Sequence, residues 1–172
     1  MSREFPDWIN PWLAAQGRRD FGGTMPLVRM PRLLEMVEDE GGEAEFRLSV
    51  SSDIDGRPEL DLSVKAGLTL VCQASLKPYV ENVERRTVLT VIAEEAEMAL
   101  LPDSAEPVVV DEGRVALATL VEDELILGLP VVPRNPEFAD VNFSSGELPE
   151  PEEDSGTRKP FAALGDLVGK QR

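Results

Sequence analysis

Three adjacent carboxylates, Glu122, Asp123 and Glu124, are the residues of this sequence that come nearest to a catalytic or metal-binding group. They stand directly before the apolar run Leu125-Ile126-Leu127, and apolar positions at helical spacing on both sides place them on a helix. Successive residues of a helix point ~100° apart, so the three carboxylates do not converge on one reacting atom or one hard cation. We therefore predict a solvated or partner-facing acidic patch in place of a catalytic dyad or a metal site.

The sequence contains one cysteine, Cys72, and no histidine. Without histidine, His-based triads, His metal sites and imidazole acid–base catalysis are excluded. A single cysteine forms neither an internal disulfide nor a multi-cysteine zinc site. Cys72 follows apolar residues near a predicted strand end, which favours a small buried residue over a reactive thiol. No glycine-rich phosphate loop is present either, so we predict no catalytic residue, no cofactor and no metal.

The charge of the chain bears on its partners. Acidic residues outnumber basic ones 33 to 17, which gives a formal net charge of −16. Such a surface repels phosphate backbones and anionic lipids, so a basic protein partner is favoured over DNA or a membrane. The alternative is that the acidic surface only keeps the protein soluble. No apolar stretch reaches the ~18–20 residues of a membrane span and the first residues lack a signal-peptide core, so we expect a cytoplasmic protein.

The elements that must position these residues begin with two short helices. Asn10-Pro11 and Met30-Pro31 are typical helix openings, and the second helix is predicted to continue to Glu38. The pair Gly22-Gly23 is predicted to break the chain between them. At 172 residues, the chain is expected to hold one domain with tails.

Apolar and polar residues then alternate with period two, which predicts β-strands. We expect an antiparallel meander of about four strands whose apolar face is covered by helices, and hence an α+β fold. Glu81 to Arg86 is charged and is predicted to form a sheet edge or a bulge. The predicted strands are Phe46 to Val50, Leu60 to Lys65, Leu68 to Cys72, and Tyr79 to Ile92. A turn is predicted from Asp53 to Gly56, and a break or bulge at Ala66-Gly67.

A loop and a helix follow the strands. Glu94 to Glu112 is acidic and contains two prolines, so we predict a loop with a short strand at Val108-Val109-Val110. Apolar residues from about Val115 follow the 3.6-residue period and predict a helix that Gly128 and Pro130 end.

The last part of the chain changes character. Between Glu137 and Asp154 there are seven acids and no lysine or arginine, which predicts a flexible acidic linker over residues 134–157. Residues 158–172 are predicted to form a short basic amphipathic helix. The predicted organisation is an α+β domain at residues 1–133, then the linker, then this terminal segment.

Five stretches, taken in order, resemble the YceD family, the large ribosomal RNA subunit accumulation proteins of bacteria and plastids. The resemblance is closest from Val121 to Pro133, where the family has an acidic triplet, apolar residues, and Leu-Pro with a second proline. The other stretches are Asn10-Pro11, Leu70-Val71-Cys72-Gln73 with Lys77-Pro78-Tyr79, Gly146-Glu147-Leu148-Pro149, and Lys159-Pro160-Phe161-Ala162-Ala163-Leu164.

The resemblance implies a role in synthesis, processing or stability of the 23S ribosomal RNA, and it brings no assigned active site. The family commonly carries Cys-x-x-Cys at the strand end, whereas Ser75 holds the second position here, which favours a structural role for Cys72. The family-pattern or partner-facing residues are Glu122, Asp123, Glu124, Pro130, Pro133, Cys72, Pro160 and Phe161.

The resulting hypothesis is a non-enzymatic ribosome-biogenesis factor. Its acidic surface would bind a basic large-subunit ribosomal protein or another assembly factor, so that it acts on 23S rRNA indirectly. One alternative is direct RNA binding through Arg158 to Arg172, with help from Arg85 and Arg86. A second alternative is a carboxylate-dependent nuclease, which would need a pocket of converging acids.

Overall fold

Alternating burial along the chain builds one main sheet, which three helices accompany. The structure is a computed structural model, and it describes residues 5–137. Short 3-10 helices span Leu27–Arg29 and Glu95–Leu100. The other elements, in chain order, are β1 (Trp8–Ile9), α1 (Pro11–Gln16), β2 (Asp20–Pro26), α2 (Pro31–Leu34), β3 (Glu43–Ser52), β4 (Pro58–Val71), β5 (Pro78–Ile92), β6 (Glu106–Val109), β7 (Val115–Ala116) and α3 (Leu117–Gly128).

The main sheet has five strands in the order β2-β3-β4-β5-β6. The first four are consecutive and antiparallel, whereas β6 pairs in parallel with Leu89 to Ile92 of β5. Strands β1 and β7 form a separate antiparallel pair that ties the start of the chain to the start of α3. The predicted α+β fold with an antiparallel meander is confirmed, and β2 and β6 extend it.

Each strand of the meander turns one face to the core and the other to solvent. Phe46, Leu48 and Leu62 are buried on the face that α1 and α3 cover. Glu45 and Lys65 lie on the opposite face and are exposed. This clean alternation is typical of an antiparallel sheet with one solvated face.

Local sequence determines how several elements begin and end. The Asn10 side chain accepts a hydrogen bond from the Leu13 N–H at 3.0 Å, and Pro11 opens α1 as predicted. In the turn between β3 and β4, the Asp53 carboxylate accepts two backbone N–H groups, and Gly56 adopts a φ of +82°. The predicted opening of α1 at Asn10-Pro11 and the predicted turn from Asp53 to Gly56 are both confirmed.

Glycines do not break the strands where we predicted. Gly22-Gly23 lies inside β2, paired with Phe46 and Arg47 of β3, and Ala66-Gly67 lies inside the continuous strand β4. The predicted break at Gly22-Gly23 and the predicted break or bulge at Ala66-Gly67 are both wrong. Pairing with neighbouring strands supplies the backbone hydrogen bonds and outweighs the cost of a strand glycine, which is only about 0.5–1 kcal/mol.

The second helix is shorter than predicted, because it ends at Leu34. The Glu38 N–H donates to the Thr69 carbonyl of β4 at 2.9 Å, which draws the following residues out of the helix and onto the sheet.

The charged stretch Glu81 to Arg86 of β5 lies at a sheet edge, which is one of the two predicted alternatives, an edge or a bulge. Strand β6 pairs only with Leu89 to Ile92, which leaves the preceding residues without a neighbour on that side within the described sheet. The predicted strand at Val108-Val109-Val110 is present two residues earlier, as β6. The helix predicted from Val115 begins at Leu117 and ends at Gly128, as expected.

Residues 138–172 lie outside the part of the chain that the structure describes. Most of the linker at 134–157 and all of the terminal segment at 158–172 belong there, as do Pro160 and Phe161, so these remain predictions. Between residues 5 and 137, no helix combines the length and the apolar character that crossing a membrane requires.

Candidate functional site

Glu122 of the acidic triplet caps another helix. Its carboxylate accepts the backbone N–H groups of Arg32 at 2.6 Å and Leu33 at 3.1 Å, and the Arg32 guanidinium at 2.6 and 2.9 Å. The first N–H groups of a helix have no partner inside the helix, and Met30, at the N-cap of α2, provides no side-chain hydrogen bond. Glu122 supplies this missing cap from α3.

The other two acids of the triplet also hold arginines. An Asp123 oxygen lies 2.7 Å from Nη2 of Arg32, and a Glu124 oxygen lies 3.0 Å from Nε of Arg85 in β5. Hydrogen bonds from Arg32, first to Glu122 and then to Asp123, raise the pKa of Arg32. The triplet therefore fastens α3 to α2 on one side and to β5 on the other.

This geometry corrects the expected acidic patch. Glu122 and Glu124 are only 4% and 3% exposed, so the prediction that they face solvent or a partner is wrong for both. Asp123 remains about half exposed. The physical reason is that Arg32 and Arg85 face this side of α3, and a buried carboxylate is tolerated when it is paired and hydrogen-bonded.

The triplet does not gather all three carboxylates into one site, because Glu122 and Asp123 share the Arg32 guanidinium while Glu124 binds Arg85. Glu122 and Glu124 bind different guanidinium groups, as the helical spacing predicts. In the described range, no group of three or more acidic or cysteine side chains is placed to hold a metal ion.

Arg85 and Arg86 point to opposite faces of the sheet, because successive strand residues alternate. Arg85 reaches Glu124 beneath α3, whereas Arg86 bonds Asp61 on the outer face at 2.6 and 2.9 Å. The Arg86 pair lowers the pKa of Asp61 and raises that of Arg86. The two arginines therefore do not form the joint basic cluster that the RNA-binding alternative would use.

Cys72 lies at the end of β4, in the tight turn that leads to β5. Its N–H donates to the Lys77 carbonyl at 2.9 Å, and its own carbonyl accepts the Leu76 N–H at 2.8 Å. The side chain is fully buried, as predicted, and it packs with Leu70 and Tyr79 in a small second core.

The Cys72 sulfur sits among hydrogen-bond donors. The Ser75 hydroxyl contributes most, followed by backbone N–H groups that include that of Asn135, and together they lower the pKa of the thiol from 9.0 to about 7. Ser75 stands where the YceD pattern has its second cysteine, and its hydroxyl lies beside the Cys72 thiol. The surroundings can stabilise a thiolate but offer it no second cysteine, since Cys72 is the only one in the chain.

The two prolines after α3 lie in the segment that returns to the Cys72 turn. Leu129 packs against the second core, and Pro130 is half-buried. The Pro133 carbonyl accepts the Gln73 N–H at 2.9 Å. Two stretches that carry the family resemblance, far apart in sequence, thus meet at one corner of the molecule.

Two clefts lie between α3 and β6, and the sequence did not predict them. One has a volume of about 390 Å³ and the other about 270 Å³, and they share Val108, Leu120 and Asp123. Leu127, four residues after Asp123, lines the larger cleft and is 65% exposed. An exposed leucine one helical turn after an exposed acid is the feature that could have indicated this surface.

Comparison with known proteins bears on the same elements. The family model described as Large ribosomal RNA subunit accumulation protein YceD matches residues 60–168. The large ribosomal RNA subunit accumulation protein YceD of Haemophilus influenzae is 31% identical, over 97% of this chain and 98% of that relative. No solved structure shows significant similarity. These matches include β4, β5 and α3, which hold the Cys72 turn and the acidic triplet, and the chain belongs to the YceD family.

Proposed function

We propose that this protein is a non-enzymatic ribosome-biogenesis factor that is needed for synthesis, processing or stability of 23S rRNA. The observation that carries the proposal is family membership over nearly the whole chain, since the family is named for accumulation of the large ribosomal subunit RNA. The relative is matched over 97% of this chain, so the comparison covers nearly all of it.

The protein acts on the RNA through a basic large-subunit ribosomal protein or another basic assembly partner. A net charge of −16 repels naked rRNA and attracts cationic proteins. The two described arginines of the RNA-binding alternative are already paired with carboxylates, Arg86 with Asp61 and Arg85 with Glu124. Phosphate binding by either arginine would first have to break its ion pair.

A non-enzymatic role agrees with how the acids are used. Glu122 and Glu124 accept hydrogen bonds from arginines in the interior, where they hold elements together. A carboxylate-dependent nuclease needs acids that converge on a shared metal ion or on a water molecule, and these two point apart.

Deletion of the gene in the organism that encodes this chain tests the proposal. We expect the ratio of mature 23S to 16S rRNA to fall, and a plasmid copy of the gene to restore it. An unchanged ratio, together with unchanged 23S precursors and ribosome profiles, would contradict a role in 23S rRNA accumulation.

Crosslinking in growing cells tests the indirect mode of action. Crosslinks to a basic ribosomal or assembly protein are expected, and deletion of residues 158–172 should leave them in place. Direct crosslinks to 23S rRNA that disappear with that deletion would instead support RNA binding by the terminal segment.

A further inference from the structure

The two clefts beside α3 lie next to each other, and we call them together the α3–β6 groove. They meet at Val108, Leu120 and Asp123. From there the groove extends along α3 in both directions, to Leu127 at one end and to Ala116 and Trp8 at the other. Because α3 has 12 residues, the groove is about 18 Å long, the length of roughly three helical turns.

The walls of the groove are apolar and partly open to solvent. Pro107 and Val108 of the β6 strand form one wall, and side chains of α3 form the other. Leu127 is 65% exposed, Trp8 50% and Val109 41%, so large apolar side chains lie uncovered along its length. Clustered exposed apolar groups of this kind mark interaction surfaces more often than chance exposure does.

The rim of the groove is negative. Glu106, Asp111 and Asp123 line it. Among the described residues, Arg32 is paired with Glu122 and with Asp123 itself, and Arg114 with Glu112, so Glu106 and Asp111 are the rim carboxylates without an ion pair. The connection that contributes one rim, from Ala93 to Gly113, carries seven acids and no lysine or arginine. An apolar floor with an anionic rim is complementary to a cationic amphipathic surface.

We propose that the α3–β6 groove binds an amphipathic helical segment of a basic protein partner, with its apolar side chains in the groove and its lysines or arginines on the acidic rim. This inference rests on the proposed function for the nature of the partner and adds the surface that receives it. A helix laid in a groove needs apolar anchors at i, i+3 or i+4, and i+7, which span the length available here.

Charge argues against two other classes of occupant, RNA and a second copy of the chain. RNA would bring phosphates to a negative rim, and the groove has no basic stripe to receive them. A second copy of the chain would bring another −16 of charge to the same surface.

The test uses the full-length protein and a labelled synthetic peptide of roughly four helical turns, with leucine at i, i+3, i+4 and i+7 and lysine elsewhere. The variant Leu127→Lys places a cation in the groove, and we expect it to weaken peptide binding by about tenfold or more. A scrambled peptide of the same composition, and a peptide with glutamate in place of lysine, should bind more weakly than the first.

Leu13→Lys is the matched control. Leu13 is also 65% exposed and also lies on a helix, but on α1, and it lines neither of the two clefts. The two variants change the net charge equally, so a general electrostatic effect would weaken both. The proposal would be overturned if Leu127→Lys and Leu13→Lys weakened peptide binding equally, or if neither weakened it.

The identity of the occupant and the link to function are tested in cells. A photo-crosslinking amino acid at position 127 should capture a basic protein. Capture of RNA, of a second copy or of residues 158–172 of the same chain would each overturn the assignment. In the deletion strain, Leu13→Lys should restore 23S rRNA and Leu127→Lys should not. Restoration by both variants would reject the groove while leaving the proposed function intact, whereas a deletion without a 23S defect would reject the function itself.

Discussion

A single carboxylate, Glu122, caps the short helix α2 from another element. A helix of four residues is not stable alone, since nucleation costs more than so few hydrogen bonds return. Glu122 accepts two of its N-terminal N–H groups and places a negative charge at the positive end of the helix. The Arg32 guanidinium is about half exposed, and it forms an ion pair with the buried Glu122 carboxylate.

Glu122→Ala is expected to lower the free energy of unfolding by about 2–3 kcal/mol, because it removes charge-assisted hydrogen bonds and the cap of α2 together. Urea unfolding, followed by circular dichroism, measures the change. Asp123→Ala is the control, and it should cost no more than about 1 kcal/mol because that pair is half exposed. Equal losses for the two variants would show that Glu122 has no special role.

The Cys72 thiol makes stability depend on pH. Its pKa is about 7 in the folded protein and 9.0 without the fold, so the folded state favours the thiolate. The contribution of the Cys72 thiolate to the free energy of unfolding is complete above pH 9, shrinks as the pH falls, and is lost below pH 7. We therefore expect the difference in unfolding free energy between the native protein and Cys72→Ala to grow from pH 7 to pH 9. Unfolding in urea across that range measures it, and a difference independent of pH would contradict the expectation.

At the scale of elements, α3 packs onto β5 through a residue without a side chain. A Cβ on Gly128 would collide with Val83 and would lie 2.9 Å from Cδ of Arg85. Arg85 is held in place by Glu124, so it cannot move away without loosening the ion pair. The end of α3 therefore fixes how closely the helix approaches the sheet.

Gly128→Ala is expected to destabilise the protein by about 1–2 kcal/mol. Alanine is the better helix former by about 1 kcal/mol, but overpacking against β5 costs about 1–3 kcal/mol and adds strain on Arg85. Gly17→Ala, where the nearest atom is 3.4 Å away and φ is −92°, should be neutral or slightly stabilising. Thermal unfolding of both variants provides the measurement, and a Gly128→Ala protein as stable as the native one would contradict the close packing.

The elements that the sequence predicted best are those whose signal is local. The alternation in β3 and the Asn10 cap of α1 each depend on residues within a few positions, and both are present as expected. The glycines of β2 and β4 misled the prediction because their backbone partners lie on other strands. Candidate-site residues were found by type and spacing, but their partners Arg32 and Arg85 were not.

At the scale of the whole molecule, the net charge of −16 opposes compactness. The described ion pairs on the surface are mostly exposed and are worth no more than about 1 kcal/mol each, so they offset little of this repulsion. Screening by salt should therefore weaken repulsion more than it weakens attraction.

Raising sodium chloride from about 0.02 M to about 0.5 M at neutral pH is expected to raise the Tm by about 2–5 °C, because the Debye length falls from about 20 Å to about 4 Å. Differential scanning calorimetry measures the shift. The same change of salt near the isoelectric point of about 4.3 should have much less effect. A Tm that falls with salt at neutral pH would mean that the ion pairs outweigh the repulsion.

The amino-acid sequence alone predicts the meander, the helix that carries Glu122, Asp123 and Glu124, the burial of Cys72 and the family. These follow from periodicity, from composition and from the order of short stretches along the chain, which are all read from residues close together in sequence. The burial of Glu122 and Glu124 depends instead on contacts that only the folded chain makes. Glu122 meets Arg32 across 90 residues and Glu124 meets Arg85 across 39. A carboxylate is buried or exposed according to the partner that the fold brings to it, and spacing along the chain carries no record of that partner.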